Sequence, residues 1–135
     1  MKKMKVFLSA LITLCLLFSL GSTASAAAQP RYNVADAFTA TLSIAATGNA
    51  RSGSTILTTK DEYTIKLSME LQRDVDGTWK SVKSWSAEGN TYVSLDKSWY
   101  VTSGYDYRVM VTADFYNANN VLIGTDTTYS AVVHY

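Results

Sequence analysis

The sequence predicts an all-β chain, a single antiparallel β-sandwich of about seven or eight strands. Three observations predict it. Apolar and polar residues alternate with a period of two in several segments. Clusters of Gly, Asn, Asp and Ser punctuate the chain between those segments. Beyond residue 36 no segment spaces its apolar residues as a helix does.

The first 26 residues are set apart from this pattern. Lys2, Lys3 and Lys5 precede an apolar run over residues 6–20, and Ala24-Ser25-Ala26 follows it. Positive residues, a short apolar stretch and small residues at that spacing are the marks of a cleavable secretion signal. Cleavage is expected after Ala26, with Ala27 and Ala28 as alternatives. The run is short for a membrane span of roughly 20 residues. Cys15, the only cysteine, lies inside the apolar run, so the mature chain is expected to hold no thiol. That excludes a disulfide framework, a cysteine nucleophile and a thiolate metal site. Loss of Lys2, Lys3 and Lys5 leaves nine basic against eleven acidic residues, a net charge of about −2. Without a positive footprint, nucleic-acid binding is not expected. No second apolar span is present, so the mature form is expected to have no membrane span and to be secreted, extracellular.

Residues 27–36 form a short polar stretch with the only proline, Pro30, and are expected to be a flexible lead-in. The sandwich domain is assigned to residues 37–135. Phe38, Ala40, Leu42 and Ile44 alternate with Thr39, Thr41 and Ser43, which marks a strand with one buried face. Gly48, Asn49, Ser52 and Gly53 suit a flexible connection, with a short second strand over residues 55–59. The clearest segment is 63–71, where Tyr63, Ile65, Leu67, Met69 and Leu71 alternate with polar residues. A helix would scatter these five around its axis. Asp74-Val75-Asp76-Gly77 is a hairpin turn signal leading into a strand over 78–86. Glu88-Gly89-Asn90 is the next break. A strand follows over 92–95, with 99–101 as its continuation or a separate piece. After a corner at Ser103-Gly104, Tyr105, Tyr107, Val109, Val111, Ala113 and Phe115 alternate. A turn at residues 117–120 precedes the last strand or pair of strands, 121–129 and 131–135.

Gly104-Tyr105-Asp106-Tyr107-Arg108-Val109-Met110-Val111-Thr112-Ala113 resembles the penultimate strand of fibronectin type III and other immunoglobulin-like domains. The resemblance implies an immunoglobulin-like sandwich. It also implies a tyrosine corner, in which the Tyr107 hydroxyl bonds to backbone a few residues upstream. Those domains carry a tryptophan on the long early strand, where this chain has Met69. The mature chain further resembles a family of small secreted proteins of Gram-positive bacteria to which no function is assigned. Leu71-Gln72-Arg73, the stretch from Gly77 to Trp85, and Gly104 to Val109 carry that resemblance. It implies a secreted sandwich of this length and brings no catalytic residue with it.

Enzymatic chemistry finds little support. The sole histidine, His134, stands one residue from the C-terminal Tyr135, and no nucleophile-elbow motif is present. Of the acidic residues, Asp61, Glu62, Asp74, Asp76, Glu88, Asp96, Asp106 and Asp126 mostly fall at turns or strand edges, where acids solvate a surface. Glu70 and Asp114 fall on strand faces opposite the apolar side. Asp74-Val75-Asp76-Gly77 opens like a calcium loop, but Trp79 and Lys80 follow in place of further oxygen ligands. No catalytic residue, metal ligand or cofactor is expected.

Aromatic residues are the remaining signal. Trp79, Trp85, Trp99 and Tyr92 are the candidate ligand-binding residues, because exposed tryptophan and tyrosine stack on sugars and anchor protein interfaces. Trp79 and Trp85 are six apart, so a regular strand puts both on one face and Val82 on the other. A bulge near Lys83-Ser84 would instead send Trp85 into the core. The expectation is a secreted, non-enzymatic interaction protein that binds an extracellular protein or a cell-envelope component. The alternative is a module for cell-wall glycan that uses an exposed tryptophan/tyrosine platform. A membrane-active toxin is disfavoured by the absence of a cationic amphipathic segment.

Overall fold

The computed structural model describes residues 34–135. The expected signal peptide, Cys15, the expected cleavage sites at Ala26, Ala27 and Ala28, and residues 27–33 of the expected lead-in lie outside the described residues. Eight strands follow: β1 (Ala37–Ile44), β2 (Asn49–Leu57), β3 (Thr64–Val75), β4 (Thr78–Gly89), β5 (Tyr92–Tyr100), β6 (Asp106–Tyr116), β7 (Leu122–Tyr129) and β8 (Val133–His134). No helix occurs among the described residues, and none there is long and apolar enough to cross a membrane.

The strands form two antiparallel sheets, β1-β2-β5 and β4-β3-β6-β7, with β8 added to β6. Alternation explains how the sheets face each other. Ile65, Leu67, Met69 and Leu71 on β3 are buried, as are Tyr107, Val109, Val111, Ala113 and Phe115 on β6. They pack with Ala50, Ile56, Val93 and Leu95 from the other sheet. This is an immunoglobulin-like sandwich. Relative to the ABED/CFG division of an immunoglobulin constant domain, β4 sits beside β3 and not beside β5.

Two details close the architecture. The Tyr107 hydroxyl donates to the Thr102 carbonyl at 2.5 Å, which ties the corner before β6 to the core. β8 pairs with Asp106 and Tyr107 while β7 begins pairing at Met110, so the two are one interrupted edge strand. Ser130 spans the interruption. Its amide donates to the Val109 carbonyl at 2.9 Å, and its hydroxyl accepts from the Val109 amide at 2.8 Å. A side chain thus completes the ladder that the backbone breaks.

The structure revises several element boundaries. Asn49, Ser52 and Gly53 belong to β2 and not to a connection. β2 is the central strand of its sheet, and its inward residues include Ser52 and Ser54, so burial there carries no apolar signature. β4 continues through Gly89, and residues 92–100 form one strand. Residues 34–36 of the expected flexible lead-in are fixed. Val34 is buried, and its carbonyl accepts from the Thr58 hydroxyl at 2.7 Å. The Asp36 amide donates to the Leu57 carbonyl, and an Asp36 carboxylate oxygen accepts from the Thr59 amide.

Candidate functional site

The site starts from one extra residue. Leu71 pairs with Lys83, but Gln72 pairs with Ser81, so Val82 has no partner on β3. This is a β-bulge, two residues against one. It has an apolar cause, since Val82 is half-buried and packs against the core. Cross-strand partners share a face. C-terminal to the bulge, Trp85 stands opposite Met69 and packs on the core. N-terminal to it, Trp79 stands opposite Asp74 on the outer face. Of the two arrangements open to Trp79 and Trp85, the chain takes the bulged one, with the bulge at Val82. The same register explains the missing tryptophan on β3. The aromatic bulk beside Met69 arrives from the neighbouring strand.

On the outer face of the larger sheet, register assembles a stack. Gln72 faces Arg108 on β6, and Met110 faces Tyr129 on β7. The Arg108 guanidinium lies over the Trp79 ring at 4.2 Å and over the Tyr129 ring at 4.5 Å. Both are cation–π distances. The Arg108 Nε donates to Gln72 Oε1 at 2.8 Å. Gln72, buried beneath the stack, donates in turn from Nε2 to Glu70 Oε1 at 2.9 Å. One strand edge, one central pair and the opposite edge therefore fix a single planar cation. Tyr129 remains half exposed, at 50%. Trp79 is the only one of the four expected ligand-binding residues in this cluster. Gln72, Arg108 and Tyr129 were not singled out from the sequence. Arg108 follows Tyr107 on the opposite parity, which marks it as outward, but its neighbours depend on register.

The other expected residues lie elsewhere, so the four aromatics form no single platform. Trp85 is on the core side. Trp99 stands opposite Ala50, 42% exposed, with Lys83 Nζ 4.4 Å from its ring. Tyr92 lies on the outer face of the smaller sheet, opposite Leu57 and 59% exposed. Tyr107 is buried at the corner described above. The physical reason is the sandwich itself. β4 and β5 belong to different sheets, so their aromatics face different surroundings.

His134 on β8 is exposed, with Nδ1 2.7 Å from Asp106 Oδ1. The shallow cavity beside them is lined by Asp74, Asp76, Gly104 and Tyr105 among others, and by no serine, threonine or cysteine. Asp74 Oδ1 accepts from the Gly77 amide at 2.8 Å. Asp76 and Gly77 have φ of 54° and 82°, the two positive values of a type I′ hairpin turn. The acidic pair serves the turn between β3 and β4. Asn117 Oδ1 likewise accepts from the amides of Asn119 and Val121, shaping the β6–β7 turn.

No protein family, curated protein sequence or solved structure matches the chain.

Proposed function

We propose that the protein is an exported, non-enzymatic binding module that attaches to a protein of the cell envelope or the extracellular surroundings. The outer face of the β4-β3-β6-β7 sheet is its binding face. The observation that carries this reading is the Arg108 guanidinium held between Trp79 and Tyr129 and pinned by Gln72. Tryptophan, tyrosine and arginine are the residues on which interface energy concentrates. An arginine already fixed in place loses little side-chain entropy when a partner docks. Its Nη groups make no hydrogen bond to protein among the described residues, so they are available to a partner's carboxylate or carbonyl. Export rests on the N-terminal residues, and the resemblance to small secreted proteins of Gram-positive bacteria agrees with it.

Site-directed photocross-linking in secreting cells tests the proposal. A photoreactive residue replaces Thr127, which is outward and exposed two residues from Tyr129. A discrete cross-linked product is expected. It should disappear with Arg108→Ala or Tyr129→Ala and should not form when the probe replaces Ser94 on the opposite sheet. A product insensitive to both substitutions, or no product, would refute the assignment.

A further inference from the structure

The outer face of the β1-β2-β5 sheet holds a polar trough built around a glycine. Gly53 lies mid-way along the central strand, opposite Thr41 on β1 and Asp96 on β5. Its φ is not positive, so the backbone does not require glycine. Space does. A Cβ at Gly53 would lie 2.6 Å from Thr41 Oγ1. Glycine inside a strand often marks a place where another group approaches the backbone closely. Here the approaching group is the Thr41 hydroxyl, and beside it lies a trough of about 380 Å³ that both residues line, within the range of roughly 300–1,000 Å³ usual for ligand sites.

The walls specify a chemistry. Arg51 grips Asp96 through both Nε and Nη2, one bond to each carboxylate oxygen. The pair cancels its own charge yet keeps an unused Nη and further carboxylate lone pairs. Thr39 and Thr41 donate only long bonds of 3.4 Å to the Thr55 and Gly53 carbonyls, and the Thr55 and Ser94 hydroxyls meet at 3.4 Å. These hydroxyls are therefore weakly committed. The result is a neutral surface of mixed donors and acceptors. It matches the vicinal hydroxyls of a sugar, each of which donates and accepts. An anion or a cation would have to compete with the existing ion pair. Along β5, Tyr92 and Tyr100 share this outward parity and are 59% and 71% exposed. They are eight extended steps apart along the strand, about 26 Å, which suits a chain of sugars better than one ring. Their flat faces stack on the apolar faces of pyranoses.

From this geometry we propose that the trough is a binding site for an uncharged oligosaccharide lying along β5, seated over Gly53 and clamped by Arg51–Asp96. The proposal is independent of the Trp79–Arg108–Tyr129 face, which belongs to the other sheet.

Two-dimensional amide NMR of the 27–135 protein tests it, with cellohexaose, chitohexaose and laminarihexaose as separate probes. At least one should give saturable shifts at Gly53, Thr55, Asp96 and Tyr100. Asp96→Ala should weaken that binding about tenfold or more, the equivalent of one good hydrogen bond. Thr41→Val, which keeps the wall's shape and removes one hydroxyl, should weaken it several-fold with an unchanged fold. Absence of saturation by all three probes at millimolar concentration would overturn the proposal. So would shifts confined to Trp79, Arg108 and Tyr129, which would place the sugar on the other sheet.

Discussion

Replacing Arg108 by Met separates the guanidinium from its aliphatic stem. Met keeps most of the chain that packs on the sheet. It removes the planar cation and the Nε donor. Two ring contacts at 4.2 and 4.5 Å are lost, each worth about 0.5–1 kcal/mol at a partly exposed site. The bond to Gln72 is lost as well, and with it about 1 kcal/mol, since its acceptor amide is buried. Together the loss is about 2–3 kcal/mol. For a domain of this size each kcal/mol moves Tm by about 4–8 °C. The assay is urea unfolding of Arg108→Met, Trp79→Leu, Tyr129→Leu and the two double variants. The Trp79–Arg108 and Arg108–Tyr129 cycles should each give a coupling energy of about 0.5–1 kcal/mol. Couplings below about 0.3 kcal/mol in both cycles, within ordinary additivity, would show that the rings and the cation are neighbours without being partners. That result would remove the ground for calling the stack preorganised.

Four further outcomes are expected. Gly53→Ala should destabilise by about 1 kcal/mol through overpacking against Thr41, and in a Thr41→Ala background the same change should become neutral or stabilising, because alanine suits a strand better than glycine; equal effects in both backgrounds, read by thermal unfolding, would refute the steric account. Tyr107→Phe should cost about 1 kcal/mol by deleting the bond to the Thr102 carbonyl, and an unchanged Tm would show the corner to be idle. Deleting Val82 should turn the bulge into a regular ladder while Trp79 stays outside and Trp85 stays inside, so iodide quenching of fluorescence should keep its pattern; a newly quenchable Trp85 would count against this register. Asp96 lies below the usual carboxylate range because Arg51 hydrogen-bonds its charged form; its small stabilising effect is therefore complete above pH about 4 and is lost as pH falls through the lowered folded value. A carboxyl ¹³C titration should find Asp96 returned toward the ordinary range in Arg51→Gln, and an unmoved midpoint would refute the cause.

Long alternating strands were legible in the sequence because large apolar residues line their buried face. β3 and β6 are central strands of the larger sheet, and each shows its inner face as an unbroken series, Ile65 to Leu71 and Tyr107 to Phe115. β2 is just as central, yet its first half, through Gly53, reads as a connection and only residues 55–59 read as a strand. Its inner face is Ala50, Ser52, Ser54 and Ile56, and its outer face includes Arg51, Gly53 and Thr55. Small polar residues on both faces erase the period-two contrast, although the strand pairs along its full length on both sides. The hairpin between β3 and β4 was legible for a different reason. Asp-Gly carries the two positive φ values that its turn requires.

The candidate faces were less legible because they depend on pairing between strands distant in the chain. Trp79 and Arg108 are 29 positions apart, and Arg108 and Tyr129 are 21 apart. Only register makes them neighbours. Even within β4 the sequence left two arrangements open, and Val82 decides between them. With all six positions in regular register, Trp79 would share a face with Trp85, and one of them would be on the wrong side of the sheet. With Trp85 outside, the core beside Met69 would lose its aromatic. With Trp79 inside, Arg108 would lose one of the two rings that hold it. A half-buried valine in the one unpaired position of the ladder resolves both at once. The bulge is what places Trp79 and Trp85, six positions apart, on opposite faces of one twelve-residue strand.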